Sequence, residues 1–186
     1  MELIQHKMPD SFTIFDISDL HLGSPNTSEE AIEEVVKYIG EHEDVYVIFK
    51  GDAIEAILPN DKRYLHSCVK EGLKSPKEQA DRVIELFNPI RERILVWMLG
   101  NHELKLWNTM DFGRYIADNL QCRYGAYNCK ISYFDKQDVL MFKTYHTHGF
   151  HGLRSGAKDD IQYEANRKAA LKIGRASCRE RVYVLV

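Results

Sequence analysis

The most constraining feature of this sequence is a series of short apolar stretches, each stopped by a polar cluster. Thr13-Ile-Phe-Asp-Ile-Ser runs into Asp19-Leu-His-Leu-Gly-Ser-Pro, where Gly23 and Pro25 end it. Val45-Tyr-Val-Ile-Phe runs into Lys50-Gly-Asp52, and Ile94-Leu-Val-Trp-Met-Leu runs into Gly100-Asn-His-Glu103. Between them the period changes. Ser28 is a helix N-cap, followed by Ala31, Ile32, Val35, Val36 and Ile39 at helical spacing, with Gly40 closing the helix. A second helix starts near Pro76 and sets Ala80, Val83, Ile84 and Phe87 on one face. Strand, helix, strand, helix, strand predicts an α/β sheet of parallel strands joined by right-handed crossovers.

Farther along, Lys130-Ile-Ser-Tyr-Phe and Val139-Leu-Met-Phe-Lys-Thr-Tyr flank Asp135-Lys-Gln-Asp138 and predict an antiparallel hairpin in a second sheet. A polar loop from His148 to Asp159 leads into a helix carrying Ile161, Ala165, Ala169 and Ala170. The stretch from Pro59 to Ser75 is mostly polar. No internal repeat or low-complexity tract interrupts the chain, so one domain is expected from its 186 residues.

Composition removes several function classes. With 25 Lys+Arg against 28 Asp+Glu, the net charge of −3 does not suit a bulk nucleic-acid binder. A hydrophobic fraction of 44% is enough for a packed core. No apolar run approaches the roughly 18 residues of a membrane span, and Met1-Glu-Leu-Ile-Gln-His-Lys lacks the order of a secretory signal. Cys68, Cys122, Cys129 and Cys178 form no C-x-x-C pair, so free thiols in a reducing cytoplasm are expected. No membrane association and no obligate protein partner is indicated. A P-loop is absent.

The strand ends carry the chemistry. In open α/β sheets ligands bind beyond the carboxyl ends of the strands. Asp19 and His21 are two apart, so an extended backbone would point both to one face. Carboxylate and imidazole together suit a borderline divalent metal. Asp52 has two oxygens with which to bridge two ions, Asn101 offers an amide oxygen, and the glycines before them allow a close backbone approach. Any one of these clusters is also what a turn-former or helix cap gives. The ordered conjunction of D-x-H, G-D and G-N-H-E, followed by a strand into a His-rich loop, is what separates the readings.

Asp19-Leu-His21, Gly51-Asp52, Gly100-Asn-His-Glu103 and His148-Gly149 resemble the ordered motifs of the calcineurin-like metallophosphoesterases, over about residues 13–152. The resemblance implies a two-sheet β sandwich flanked by helices, with a dinuclear metal centre at the strand ends. By that correspondence Asp19 and His21 would bind the first ion, Asp52 would bridge both, and Asn101 and His148 would bind the second. His102 would act on the scissile phosphate, stabilising it or protonating the leaving oxygen. The implied cofactors are two divalent ions, Mn first, with Fe, Zn or Ni as alternatives, and the implied substrate is a phosphomonoester or phosphodiester. Two such ions neutralise phosphate charge and lower the pKa of a bridging water. His146, which shares a strand face with His148, is either an alternative ligand or a partner standing behind the ligands, and His151 is a further alternative to His148. Glu55 reads as a carboxylate at a helix start. Arg154 and Lys158 could clamp a substrate phosphate, or be solvated loop charges.

The family pattern ends in a G-H-x-H motif, which this sequence lacks. Ile173 to Val182 resembles the conceptual translation of a common sequencing-adapter DNA. Residues 1–172 are therefore expected to be the metallophosphoesterase domain, short of its last strands, and residues 173–186 a non-native tail. With one imidazole fewer for each ion, weak metal binding, marginal folding and low activity are expected. Two other readings stand beside the phosphoesterase. One is a nuclease, using Lys62, Arg63, Tyr64, His66, Lys70 and Lys74 on DNA or RNA. The other is a non-catalytic binding or scaffold module that keeps the fold.

Overall fold

A computed structural model describes residues 1–58 and 69–149 and the backbone of the strand at 182–184. The strands are β1 (Glu2–Lys7), β2 (Thr13–Ile17), β3 (Val45–Phe49), β4 (Ile94–Trp97), β5 (Arg123–Tyr124), β6 (Asn128–Phe134), β7 (Leu140–Thr147) and β8 (Val182–Val184). The helices are α1 (Glu29–Glu41), α2 (Pro76–Phe87), α3 (Asn101–Leu104) and α4 (Phe112–Asn119), with a 3-10 helix over Asn88–Arg93. One sheet has the order β5-β4-β3-β2-β8 and is parallel throughout. The other has the order β1-β6-β7, with β1 parallel and β7 antiparallel to β6.

The parallel sheet reads as continuous apolar sequence because both its faces are covered. One face meets the helices: Val45, Val47, Phe49 and Trp97 pack with Ile32, Val36, Val83, Phe87 and Ile116. Phe49 and Trp97 stack there with ring centroids 3.9 Å apart, and Phe87 meets Trp97 edge-on. The opposite face meets the second sheet: Ile14, Ile48, Leu95 and Met98 pack with Ile4, Ile131, Tyr133 and Phe142. This is the mixed α/β architecture of two sheets flanked by helices that the motifs implied.

The caps follow from the sequence. The Ser28 side chain accepts from the Ala31 amide. Ser75 and Glu78 form a reciprocal capping box, with Pro76 at the first turn. Several bounds differ from expectation. α1 runs through Gly40 to Glu41 and is capped at His42, so the glycine lies inside it. β4 stops at Trp97: the Met98 amide makes a last bond to Phe49 O at the end of β3, and the Leu99 amide turns to Ala126 O. β1, α4 and β5 were not anticipated. No helix among the described residues is long and apolar enough to cross a membrane. Cys122 and Cys129 are free thiols. The expected helix after residue 159 and the stretch 173–181 lie outside the described residues, while Val182–Val184 lies beside β2.

Candidate metal centre

Three loops leave the carboxyl ends of β2, β3 and β4 and are bonded to one another. Asp19 N donates to Gly51 O at 3.0 Å, and His21 N to Asp52 O at 3.0 Å. His102 N donates to Asp52 Oδ1 at 2.8 Å. The approach is so close that a Cβ on Gly100 would lie 2.1 Å from both Asp52 N and Oδ1, and one on Gly51 would lie 2.5 Å from Gly100 N. The two glycines therefore bring the loops against each other.

The expected route of Asp19 and His21 to one face needs correction. Neither is on an extended strand. Asp19, His21 and Asp52 have φ of 59°, 49° and 56°, in the left-handed region that non-glycine residues seldom occupy. Such geometry persists where surrounding bonds over-determine it, and it concentrates at functional sites. Here the loop-to-loop amide bonds hold it. His21 Nε2 lies 3.8 Å from Asp19 Oδ1 and 3.9 Å from Asp52 Oδ2.

His148, just past β7, arrives from the other sheet. Its Nδ1–H donates to Lys50 O at 2.7 Å, which leaves Nε2 facing Asp52 Oδ2 at 3.2 Å and Asn101 Oδ1 at 3.0 Å. Ligand atoms of Asp19, Asp52 and His148 all fall within 4.8 Å of one another, as do those of His21, Glu55 and His102. Burial would lower the His148 imidazole, but the hydrogen-bonded Asp52 carboxylate outweighs it and holds the ring above its ordinary value. Burial likewise opposes the Asp52 charge, yet the bonds from His148 and the His102 amide keep that carboxyl below its usual range.

Glu55 is not at a helix start. It lies in the loop after β3, and it serves two imidazoles. Its Oε2 is 3.1 Å from His21 Nδ1, off the line of a hydrogen bond, so that Nδ1 is a buried atom with an ionic neighbour only. Its backbone carbonyl accepts the Nδ1–H of His102 at 2.5 Å. Burial holds His102 below its ordinary value, so the ring is neutral near pH 7, with Nε2 unprotonated.

Glu103, quoted above only as part of its motif, proves structural. It is 1% exposed, and its Oε1 accepts from Ala53 N at 2.6 Å and Ile54 N at 3.2 Å. Its Oε2 accepts from Gly100 N at 3.0 Å and Asp52 N at 3.2 Å. Burial pushes its carboxyl up, against the pull of those amides. One carboxylate thus fixes both loops that carry Asp52 and Asn101. Gln79, 1% exposed, does the same farther out: Oε1 accepts from Ala56 N, and Nε2 donates to Leu73 O.

His146 stands apart from the cluster. Its Nε2 is 2.7 Å from Thr144 Oγ1, and burial lowers its pKa to about 4. His151, Arg154, Lys158, Lys62, Arg63, Tyr64 and His66 lie outside the described residues. Lys70 is described and is taken up by Glu29 at 2.5 Å. A depression of about 620 Å³ beside the cluster is lined by Asp19, His21, Glu55 and His102 and by the start of α1 at Ser28 and Ile32. A larger hollow of about 1020 Å³, near Arg114 and Lys130, includes none of the clustered residues.

The donor set fits divalent ions. Carboxylate and amide oxygens and imidazole nitrogens converge, and His148 is oriented through its other nitrogen, as metal-bound imidazoles are. A family model for calcineurin-like phosphoesterases matches residues 12–176. The chain belongs to that family. Its members are phosphoesterases that bind divalent metals, and the candidate ligand groups of this chain lie inside the matched span. No curated protein and no solved structure matches the chain.

Proposed function

We propose that this chain hydrolyses a phosphomonoester or phosphodiester with two divalent ions, Mn²⁺ first among them. The observation that carries the reading is the convergence of Asp19, Asp52 and His148 within 4.8 Å at the strand ends, inside the family match. Asp19 and His21 would hold one ion, and Asn101 and His148 the other. Asp52, whose Oδ1 accepts the His102 amide and whose Oδ2 faces both His21 and His148, would serve both ions. Two ions there would neutralise the phosphate oxygens and make a bound water more acidic.

The chain's own residues do the rest. Glu103 and the two glycines fix the loops, so little reorganisation is left for the moment of binding. Glu55 O holds the His102 ring in the Nδ1–H tautomer, and His102 lines the neighbouring depression. There Nε2 would first take up a proton from the attacking water, and the imidazolium so formed would stabilise the phosphate or hand that proton on to the leaving oxygen. The neighbouring depression is where the leaving group would lie. The test is to strip the protein with chelator, add Mn²⁺, and follow bis-p-nitrophenyl phosphate and p-nitrophenyl phosphate. A slow Mn²⁺-dependent rate that His102→Ala abolishes is expected, whereas hydrolysis indifferent to Mn²⁺ or to that substitution overturns the reading.

A further inference from the structure

Beneath the candidate ligands lies a second polar layer that the mechanism above does not use. Asp16 stands three residues before Asp19, Lys50 two before Asp52, and His146 two before His148. Strand alternation explains why these three meet. Ile14 and Asp16 share a face of β2, Ile48 and Lys50 continue one face of β3, and Phe142 and His146 share a face of β7. Ile14, Ile48 and Phe142 all belong to the core between the sheets. That apolar layer therefore ends, on its way to the ligands, in Asp16, Lys50 and His146.

Lys50 Nζ pairs with Asp16 Oδ2 at 3.1 Å, and His146 Nδ1 lies 3.7 Å from Asp16 Oδ1. The Asp16 and His146 side chains are only 10% and 9% exposed. Asp16 Oδ1 has no hydrogen-bond partner among the described residues, and it is the oxygen turned to His146. Lys50 is also held through its backbone. Its N donates to Ile17 O at 2.7 Å, and its O accepts the His148 Nδ1–H at 2.7 Å.

We propose that Asp16, Lys50 and His146, the lysine only half-buried, are a positioning triad that registers His148, carried by one sheet, against Asp52, carried by the other. The inference rests on His148 and Asp52 being metal ligands. Burying an ion pair adds little net stability over an apolar substitute, so stability alone gives weak reason to place one here. Its location gives a better one. His148 reaches Asp52 only if the end of β7 keeps its height over the ends of β2 and β3, and the triad joins those three strands two or three residues below the ligands. The Asp16–Lys50 pair also fixes the residue whose carbonyl sets the His148 tautomer.

The test uses the double variant Asp16→Asn/Lys50→Met, which removes both charges and leaves neither one bare. In metal-free protein, the nitrogen-15 shift of the His148 Nδ1–H, which is bonded to Lys50 O, should move toward that of an imidazole N–H free of this bond, while the melt stays cooperative. Mn²⁺ affinity, followed by its paramagnetic resonance signal, should fall about 10–100-fold, as for loss of an outer partner of a ligand. Lys50→Arg, which keeps the cation, should restore most of both. If the double variant does not fold, His146→Gln is measured in the same way. A folded variant with the wild-type His148 spectrum overturns the proposal. If the wild type itself binds no Mn²⁺, the metal-centre reading fails, and the metal-free spectrum alone decides whether the triad sets His148.

Discussion

Glu103→Gln keeps the shape of the side chain while turning one acceptor oxygen into an NH₂ group. The carboxylate receives four backbone amides, two on each oxygen, at a position 1% exposed. The glutamine oxygen would best take the shorter pair, from Ala53 at 2.6 Å and Ile54 at 3.2 Å. The NH₂ group then confronts the amides of Gly100 and Asp52. Two buried N–H groups without an acceptor cost about 1–3 kcal/mol each, so a loss of about 2–6 kcal/mol is expected. Against a total of about 5–15 kcal/mol that is a large fraction. Urea unfolding of the chelator-treated protein measures it, with no change in m expected. Mn²⁺ affinity should fall as well, because the Asp52 amide is one of those released. A variant within about 0.5 kcal/mol of wild type, the ordinary scale of a surface substitution, would refute the claim that Glu103 clamps the two loops.

Gly100→Ala places a Cβ 2.1 Å from Asp52 N and Oδ1, so it should abolish Mn²⁺ binding in a metal titration while leaving the helices intact by circular dichroism. Ser75→Ala removes the acceptor for Glu78 N and half of the capping box at the start of α2. It should cost about 1 kcal/mol in urea unfolding, with phosphoesterase rates unchanged. Glu29 is held below its ordinary 4.5, first by the Lys70 hydrogen bond and then by Arg82. Its contribution is full above 4.5 and disappears as pH falls through the lower folded value. Glu29→Gln should therefore destabilise near neutrality and converge on wild type in acid, as a pH series of melts would record; a constant gap across pH would contradict it.

Much of the fold was legible because local signals agreed with it. β2, β3 and β4 are apolar runs ended by polar clusters, and α1 and α2 have both periodicity and caps. β1 was not legible. Only Ile4 of Glu2–Lys7 is buried, and the strand exists through pairing with β6, from Glu2↔Cys129 to Lys7↔Phe134. α4 contains Gly113 and Asn119, poor helix formers, and is held by the Asp111 cap and the burial of Phe112, Ile116 and Ala117. In the site, residue types and spacing brought out Asp19, His21, Asp52 and Asn101, and the family resemblance singled out His148. They could not show how Asp19 and His21 are turned, because a positive φ at a non-glycine residue leaves no mark in sequence. Glu55 and Glu103 were hidden for a related reason. Glu103 is bonded to backbone amides and Glu55 serves His102 through its own carbonyl, groups that every residue carries and no motif records.

The central claim is that the strand-end residues form a divalent metal centre, and Asp52 is its middle. The most direct measurement is Mn²⁺ bound per chain by equilibrium dialysis, wild type beside Asp52→Asn, with cooperative melts confirming that both are folded. The account predicts Mn²⁺ binding by the wild type and its loss in the variant, since the side chain facing His21 and His148 no longer carries charge. Equal Mn²⁺ binding by two folded proteins would contradict it.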